Sequence, residues 1–164
     1  MSKDYSAKKT VLLIEDDPMF RLRMAQILRE VDARVVGIHS PIESLPDGVT
    51  EDTIDMVVLD LHTEGHDPEQ GYAAMVARFP SKLFIVCSSA PDRCPEAALT
   101  NVRCLGIVDK VGSSFREALI NKTVAVTPSN AAASTTTAPQ KIMVTTDVTE
   151  AFNRILNKLD EFTG

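Results

Sequence analysis

The sequence of 164 residues lacks the features that mark several common classes of protein. Its three cysteines are odd in number and show no Cys-x-x-Cys spacing, so we expect free thiols in a reducing cytoplasm rather than disulfides or zinc ligands. It has no basic excess, and the net charge of -6 argues against direct contact with nucleic acid. No apolar run approaches the roughly 20 residues that span a bilayer, and the N-terminus is too polar for a signal peptide. We therefore expect a cytoplasmic protein without membrane insertion.

Short apolar segments alternate with helix-like segments over the first two thirds of the chain. Continuous apolar runs of this length are typical of strands that are buried on both faces. The five predicted strands are 11–14, 34–38, 56–59, 83–87 and 104–108, and the predicted helices are 18–31, 71–79, 97–101 and 115–120. Residues 40–55 contain two prolines and a glycine, and they predict only a short or irregular helix. The alternation predicts an α/β fold with a parallel sheet between two layers of helices.

Two of the helix starts carry specific signals. Asp17 followed by Pro18 is typical of an N-cap and of the first residue of a helix. Ser114 and Glu117 match the spacing of a capping box before the last of these helices. We therefore expect helices to begin at Pro18 and directly after Ser114.

The C-terminal part of the chain differs in composition. Residues 127–140, TPSNAAASTTTAPQ, carry no charge and little to bury, and we predict a flexible linker over 121–146. Residues 147–162 place apolar side chains at i, i+3, i+4 and i+7, which predicts an amphipathic helix. Such a helix needs a surface to cover its apolar stripe. Three surfaces are possible: that of its own domain, that of a second copy of the chain in a homodimer, or that of a separate partner.

Polar side chains follow four of the five predicted strands. Right-handed crossovers place the carboxyl ends of parallel strands at one edge of the sheet, where ligands of such folds bind. Taken alone, an acid there is often a helix cap, a serine pair is often a turn, and a lysine is often solvated. Their convergence on one edge is much less expected by chance and predicts a functional site. The residues are Glu15, Asp16 and Asp17 after the first strand, Asp60 after the third, Ser88 and Ser89 after the fourth, and Lys110 after the fifth.

These side chains suit phosphoryl chemistry. Clustered carboxylates bind a hard divalent cation such as Mg²⁺, which prefers one or two protein carboxylates together with waters and phosphate oxygens. The cation and the Lys110 ammonium would offset the charge of an arriving phosphoryl group. A carboxylate in such a site can act as a nucleophile and become an aspartyl phosphate.

Four motifs together resemble the receiver domains of two-component response regulators. IEDDP follows the first strand, VVLDL surrounds Asp60, CSSA ends the fourth strand and IVDK ends the fifth, in the order and approximate spacing of that family. The resemblance covers residues 10–120. It implies a flavodoxin-like, doubly wound sheet with strand order 2-1-3-4-5. It also implies phosphotransfer from a sensor histidine kinase or a histidine phosphotransfer protein, and output through a downstream protein partner.

The resemblance assigns roles to the acidic residues. Asp60 resembles the phosphoacceptor. Glu15 and Asp16 match the acidic pair that binds Mg²⁺ together with Asp60, and the backbone carbonyl of His62 would add a further ligand. Asp17 is then expected to cap the first helix, where a carboxylate also meets the positive end of the helix dipole.

The remaining site residues match the family less completely. Ser88 resembles the hydroxyl residue that moves toward the phosphoryl group, with Ser89 as the alternative, and Lys110 resembles the lysine that contacts it. Ile107 stands where the family usually has an aromatic ring that reports this movement, and Val111 replaces a common proline. Phosphorylation survives both departures, whereas the usual route from the site to the output face depends on the missing ring.

Three functions are compatible with these residues. The first is a single-domain response regulator, not an enzyme beyond slow self-dephosphorylation, that is phosphorylated on Asp60 and signals through protein contacts. The second is a receiver-like scaffold that works without phosphorylation, which Ile107 and the weak helix 97–101 favour. The third is a small phosphatase of the haloacid dehalogenase type, which needs a second acid two residues after its nucleophile, where this chain has His62. We expect the acidic loop HTEGHDPEQ, 62–70, to be solvated rather than to bind metal.

Overall fold

The computed structural model describes residues 8–41, 43–62, 65 and 67–128. Within these residues one parallel sheet contains the strands β1 (Thr10–Ile14), β2 (Arg34–Ile38), β3 (Met56–Asp60), β4 (Leu83–Ser88) and β5 (Cys104–Asp109). Their order in the sheet is β2-β1-β3-β4-β5, which is the flavodoxin-like order. The predicted α/β fold and strand order are confirmed, and each strand lies within one residue of its predicted bounds.

The helices of this part of the chain are α1 (Pro18–Glu30), α2 (Pro68–Arg78), α3 (Glu96–Thr100) and α4 (Phe115–Val124), with 3-10 turns at Glu51–Thr53 and Pro91–Arg93. α1 begins as predicted, because Asp17 Oδ1 accepts hydrogen bonds from the backbone N–H groups of Met19 (2.8 Å) and Phe20 (3.2 Å). α2 begins three residues earlier than predicted, because Asp67 caps it in the same way. Between β2 and β3 the described residues form only a 3-10 turn, as predicted. No helix among the described residues has the length and the apolar character to cross a membrane.

α4 begins at Phe115, as predicted, but its capping contacts and its C-terminal end differ from the prediction. The capping box is wrong: Ser114 precedes the helix with φ -97° and ψ 15°, outside the extended conformation of most caps, and its side chain makes no capping hydrogen bond. The helix continues to Val124, four residues past its predicted end at 120. Thr123 and Val126 are buried in the folded domain, which accounts for the longer helix. The predicted linker from residue 129 onward and the predicted helix 147–162 lie outside the described residues.

The side chains of the central strands alternate between the two faces of the sheet. Leu13 and Val58 pack on one face with α1 and α4, whereas Leu12 and Val57 pack on the other face with α2. All five residues of β3 are buried, which explains why its sequence is a continuous apolar run that ends in Asp60. Packing on both faces fixes the carboxyl ends of these strands, and with them the polar residues that follow.

β5 lies at one edge of the sheet and is mostly half-buried. The helix before it, α3, has only five residues, and Ile107 packs against the core while remaining half-buried. Gly106 has φ +138°, and a Cβ there would lie 2.6 Å from Lys122 Nζ, which donates a hydrogen bond to the Leu105 carbonyl (3.0 Å). The backbone conformation therefore favours glycine at this position, whereas the flexible end of the Lys122 side chain can move away from a Cβ.

Candidate functional site

Three carboxylates meet at the carboxyl edge of the sheet. Glu15 and Asp16 follow β1, and Asp60 is the last residue of the neighbouring strand β3. One carboxylate oxygen from each lies within 4.8 Å of the other two. Glu15 is fully buried, Asp60 is 3% exposed and Asp16 is half-buried. These hard oxygen donors fit a small divalent cation, and no other group of this kind occurs among the described residues.

Lys110, which follows β5, supplies positive charge to the same place. Its Nζ lies 2.6 Å from Glu15 Oε2 and 2.9 Å from Asp60 Oδ2. The ammonium also lies 4.4 Å from the centre of the Phe20 ring of α1, a cation–π contact. The lysine is 6% exposed, so solvent screens these interactions only weakly. Lys110 therefore pairs with the two buried carboxylates of the cluster, Glu15 and Asp60.

The pKa values of the buried charges reflect desolvation and mutual attraction. Burial raises the pKa of Glu15 to about 7, the hydrogen bond from Lys110 opposes this shift, and the charge of Asp60 adds to it. Burial acts to lower the pKa of Lys110, but its hydrogen bonds to Glu15 and Asp60 outweigh that effect and raise the pKa. Lys110 therefore remains protonated at neutral pH, whereas Glu15 gains or loses a proton when nearby charges change.

The turn after β1 directs two of the three adjacent acids into the site. The backbone N–H of Asp17 donates to Glu15 Oε1 (3.1 Å) and to Asp16 Oδ1 (2.9 Å), while the Asp17 side chain caps α1. Sequence reasoning missed Arg21, whose Nη1 donates to the Glu15 carbonyl (2.8 Å). Arg21 lies across Gly37 of β2, where a Cβ would be 3.2 Å from its Cδ, and that glycine is the one sequence signal of this contact.

The hydroxyl of the site is at the end of β4. Ser88 is fully buried whereas Ser89 is exposed, so Ser88 is the serine inside the site. Its Oγ accepts a hydrogen bond from the backbone N–H of Ala90 (3.0 Å) and lies 3.2 Å from His62 Nδ1. The backbone N–H of Lys110 donates to the Ser88 carbonyl (2.9 Å), which joins the ends of β4 and β5.

His62 contacts the site through its backbone and its ring. Its backbone N–H donates to Asp60 Oδ1 (3.2 Å), and its ring contacts Ser88. The contact of its ring with Ser88 was not predicted from the sequence, because no periodic pattern shows where the side chain of a loop residue lies. In the rest of the acidic loop, Asp67 caps α2, and residues 63, 64 and 66 lie outside the described residues.

Comparison with known proteins gives matches at the level of structure. No family model matches the sequence, and no curated protein sequence matches it. The chemotaxis response regulator CheY4 of Vibrio cholerae is 14% identical, with a TM-score of 0.57 over 73% of this chain and 98% of its own. A CheY-like response regulator receiver domain protein from Methanospirillum hungatei JF-1 is 19% identical, with a TM-score of 0.54 over 71% of this chain and 92% of its own.

A third similar structure is a response regulator protein from Burkholderia pseudomallei that contains a phosphorylated aspartic acid, a calcium ion and citrate. It is 16% identical, with a TM-score of 0.50 over 76% of this chain and 69% of its own. At these identities the likeness concerns the fold. The described chain has the fold of response regulator receiver domains, which confirms the fold that the four motifs implied.

Proposed function

We propose that this protein is a receiver-type switch that accepts a phosphoryl group on Asp60 in a Mg²⁺-dependent reaction and signals through protein contacts. One observation carries the proposal: the Asp60 carboxylate, buried at the end of β3, lies within 4.8 Å of two further carboxylates and 2.9 Å from the Lys110 ammonium. A structural ion pair needs only one acid for one lysine, and each further buried charge is costly. The surplus of acids suits a site that binds a cation and an anion together.

Asp60 is the nucleophile in this proposal. One of its carboxylate oxygens forms a bond to phosphorus while the P–N bond of a phosphohistidine breaks and its electron pair stays on the imidazole. With acetyl phosphate, the bond that breaks is P–O, and acetate leaves. Lys110 Nζ, 2.9 Å from Asp60 Oδ2, is close enough to donate to a phosphoryl oxygen and offset its charge. The product is an aspartyl phosphate that hydrolyses slowly, so the protein acts as a switch rather than as an enzyme.

Glu15, Asp16, Asp60 and the backbone carbonyl of His62 are the proposed protein ligands of Mg²⁺. Clustering of the three carboxylates within 4.8 Å supports this assignment, as does their hard oxygen chemistry. The metal would offset negative charge on the transferring phosphoryl group. The Burkholderia pseudomallei protein, which contains a phosphorylated aspartic acid and a calcium ion, shares the fold and supports the same reading here.

Ser88 is the proposed hydroxyl that contacts the phosphoryl group, since it is buried beside His62 and Ser89 is exposed. The proposed phosphoryl donor is a sensor histidine kinase or a histidine phosphotransfer protein in the cytoplasm. The proposed output is contact with a downstream protein, because the net charge of -6 argues against direct contact with nucleic acid.

A second candidate is a scaffold with the same fold whose output does not depend on phosphorylation. Two observations favour it: α3 has only five residues, and half-buried Ile107 stands in place of the aromatic ring of the family. The buried acids and Lys110 count against it, because a scaffold does not need them. The phosphatase reading is not proposed, because the residue two after Asp60 is His62, which contacts Ser88.

Incubation with acetyl phosphate and Mg²⁺, followed by intact-protein mass measurement, tests the switch. We expect the wild type to gain one phosphoryl group, Asp60→Asn to gain none, and omission of Mg²⁺ to abolish the gain. Asp52→Asn is a matched control that should behave as the wild type, because Asp52 is exposed and precedes the opposite end of β3. If the wild type binds Mg²⁺ but gains no mass, the switch proposal is wrong and the scaffold is the remaining candidate. The scaffold predicts normal partner binding by Asp60→Asn.

A further inference from the structure

The contact between the Ser88 hydroxyl and the His62 ring takes no part in the phosphoryl transfer proposed above. Ser88 Oγ lies 3.2 Å from His62 Nδ1, and the serine is fully buried. We propose that His62 is a positioning residue that holds the Ser88 hydroxyl in a resting orientation, and that this contact breaks when Asp60 is phosphorylated. The inference rests on the proposed phosphoryl switch and deepens it, because it identifies what opposes switching in the unphosphorylated protein.

The groups around Ser88 decide the direction of this hydrogen bond. A hydroxyl has one proton and two lone pairs, and the Ala90 N–H occupies one lone pair. The buried proton needs an acceptor, because an unpaired buried O–H is costly. An unprotonated His62 Nδ1 is a strong acceptor, whereas the thiol of Cys94, which also interacts with Ser88, is a weak one. In the proposed resting state the hydroxyl donates to Nδ1, and the ring carries its proton on Nε2.

In this arrangement the proton of the Ser88 hydroxyl is hydrogen-bonded to His62 Nδ1 and is not available to a phosphoryl group. The oxygens of Asp60 accept hydrogen bonds from Lys110 Nζ and from the His62 backbone N–H. To contact a phosphoryl oxygen, the Ser88 hydroxyl has to donate its proton there, because phosphoryl oxygens are acceptors. His62 Nδ1 and the phosphoryl group therefore compete for one proton, and the free energy of the His62 contact favours the resting state.

His62 also connects the phosphoacceptor to the hydroxyl. Its backbone N–H is 3.2 Å from Asp60 Oδ1 and its ring is 3.2 Å from Ser88 Oγ, so one residue touches both. A phosphoryl group on Asp60 changes the charge and the hydrogen bonding of that carboxylate, and it disturbs both contacts at once. This short physical connection is present in a chain in which Ile107 replaces the usual aromatic ring.

Nitrogen-15 NMR of the histidine rings tests the resting contact without any phosphoryl chemistry. In wild-type protein without Mg²⁺ or donor we expect His62 to have an unprotonated, hydrogen-bonded Nδ1 and a protonated Nε2. The His62→Asn variant assigns the signal by its loss. Addition of Mg²⁺ and beryllofluoride, a mimic of the aspartyl phosphate, should shift the Nδ1 signal toward that of a free acceptor. A protonated Nδ1 in the resting protein would overturn the proposal.

The affinity for beryllofluoride at saturating Mg²⁺ measures how strongly His62 opposes switching. His62→Leu removes the acceptor, whereas His62→Asn keeps an oxygen close to the position of Nδ1. The net contribution of one hydrogen bond predicts roughly 2- to 10-fold tighter binding in His62→Leu and near wild-type binding in His62→Asn. Cys94→Ala removes the other side chain that interacts with Ser88, and as the matched control it should bind as the wild type does.

Equal affinities of His62→Leu and wild type would contradict the inference, as would an equal tightening in Cys94→Ala. If the wild type neither binds beryllofluoride nor gains phosphoryl mass, the phosphoryl switch itself fails. The resting NMR signal of Nδ1 then still reports whether the His62 contact exists. The same signal decides the question if His62→Leu does not fold, because it is measured on the wild type.

Discussion

The substitution Lys110→Met tests whether one ammonium balances the buried acids of the site. It removes the donor that lies 2.6 Å from Glu15 Oε2 and 2.9 Å from Asp60 Oδ2. It keeps an unbranched apolar side chain beside the Phe20 ring, so little packing is lost. In the variant the two buried carboxylates face each other without a compensating charge.

The expected loss of unfolding free energy follows from these contacts. Removing one partner from a buried ion pair costs about 3–5 kcal/mol, and the lost cation–π contact of this buried lysine adds about 1–2 kcal/mol. Two effects reduce the loss: the ammonium no longer has to be desolvated, and Glu15, with a pKa of about 7, can take up a proton. We therefore expect the unfolding free energy to fall by about 3 kcal/mol at pH 8 and by less at pH 6.

The pH dependence comes from Glu15, whose pKa in the folded protein is raised from 4.5 to about 7. As the pH rises from 4.5 to 7, the unfolded chain loses this proton before the folded protein does, so the contribution of Glu15 to stability falls over that range. The hydrogen bond from Lys110 opposes the rise of this pKa. Loss of Lys110 therefore raises the pKa of Glu15 further, and the loss of stability that accompanies its deprotonation extends to higher pH.

Urea unfolding at pH 6 and at pH 8, in EDTA and in Mg²⁺, measures these effects. Lys8→Met is the matched control at an exposed lysine and should stay within about 0.5 kcal/mol of the wild type. Mg²⁺ should stabilise Lys110→Met more than the wild type, because it replaces the missing positive charge. A loss below about 0.5 kcal/mol at pH 8 in EDTA, or no additional stabilisation by Mg²⁺, would refute the reasoning.

Two further predictions concern the metal and the helix cap. Calorimetric titration should show that the affinity for Mg²⁺ increases from pH 6 to pH 8 and that metal binding releases protons. The reason is that the ionised form of Glu15, whose pKa is about 7, binds the metal. Equal affinity at both pH values would contradict this prediction. Asp17→Ala should lower the unfolding free energy by about 1 kcal/mol through loss of the α1 cap while Mg²⁺ binding persists, and an unchanged urea midpoint would argue against that role.

The strands are predictable from local sequence because their burial is nearly complete. Residues 11–14 and 56–59 are apolar without interruption, as a strand covered on both faces requires. The end of α4 is not predictable in this way. Its last turn is held by burial of Thr123, whose carbonyl accepts a hydrogen bond from Lys9 Nζ, a residue before β1. No property of residues 121–126 alone indicates that partner.

The candidate site also has features that the sequence predicts and features that it does not. Its acids and Lys110 come together as the strand-end argument predicts, because parallel strands bring their carboxyl ends to one edge. The contact of the His62 ring with Ser88 was not predicted, and neither was the hydrogen bond from Arg21 to the Glu15 carbonyl. Both depend on the direction of a side chain relative to a distant strand, which spacing along the chain does not encode.

By itself, the sequence determines where the strands lie and that four acids, two serines and a lysine follow them. Only the tertiary structure decides which of these side chains share an environment. Asp17 is exposed and caps a helix, while Glu15, two residues away, is fully buried 2.6 Å from Lys110, a residue 95 positions along the chain. Desolvation and Coulomb energy depend on distances in space. The raised pKa of Glu15 is therefore a property of the folded molecule.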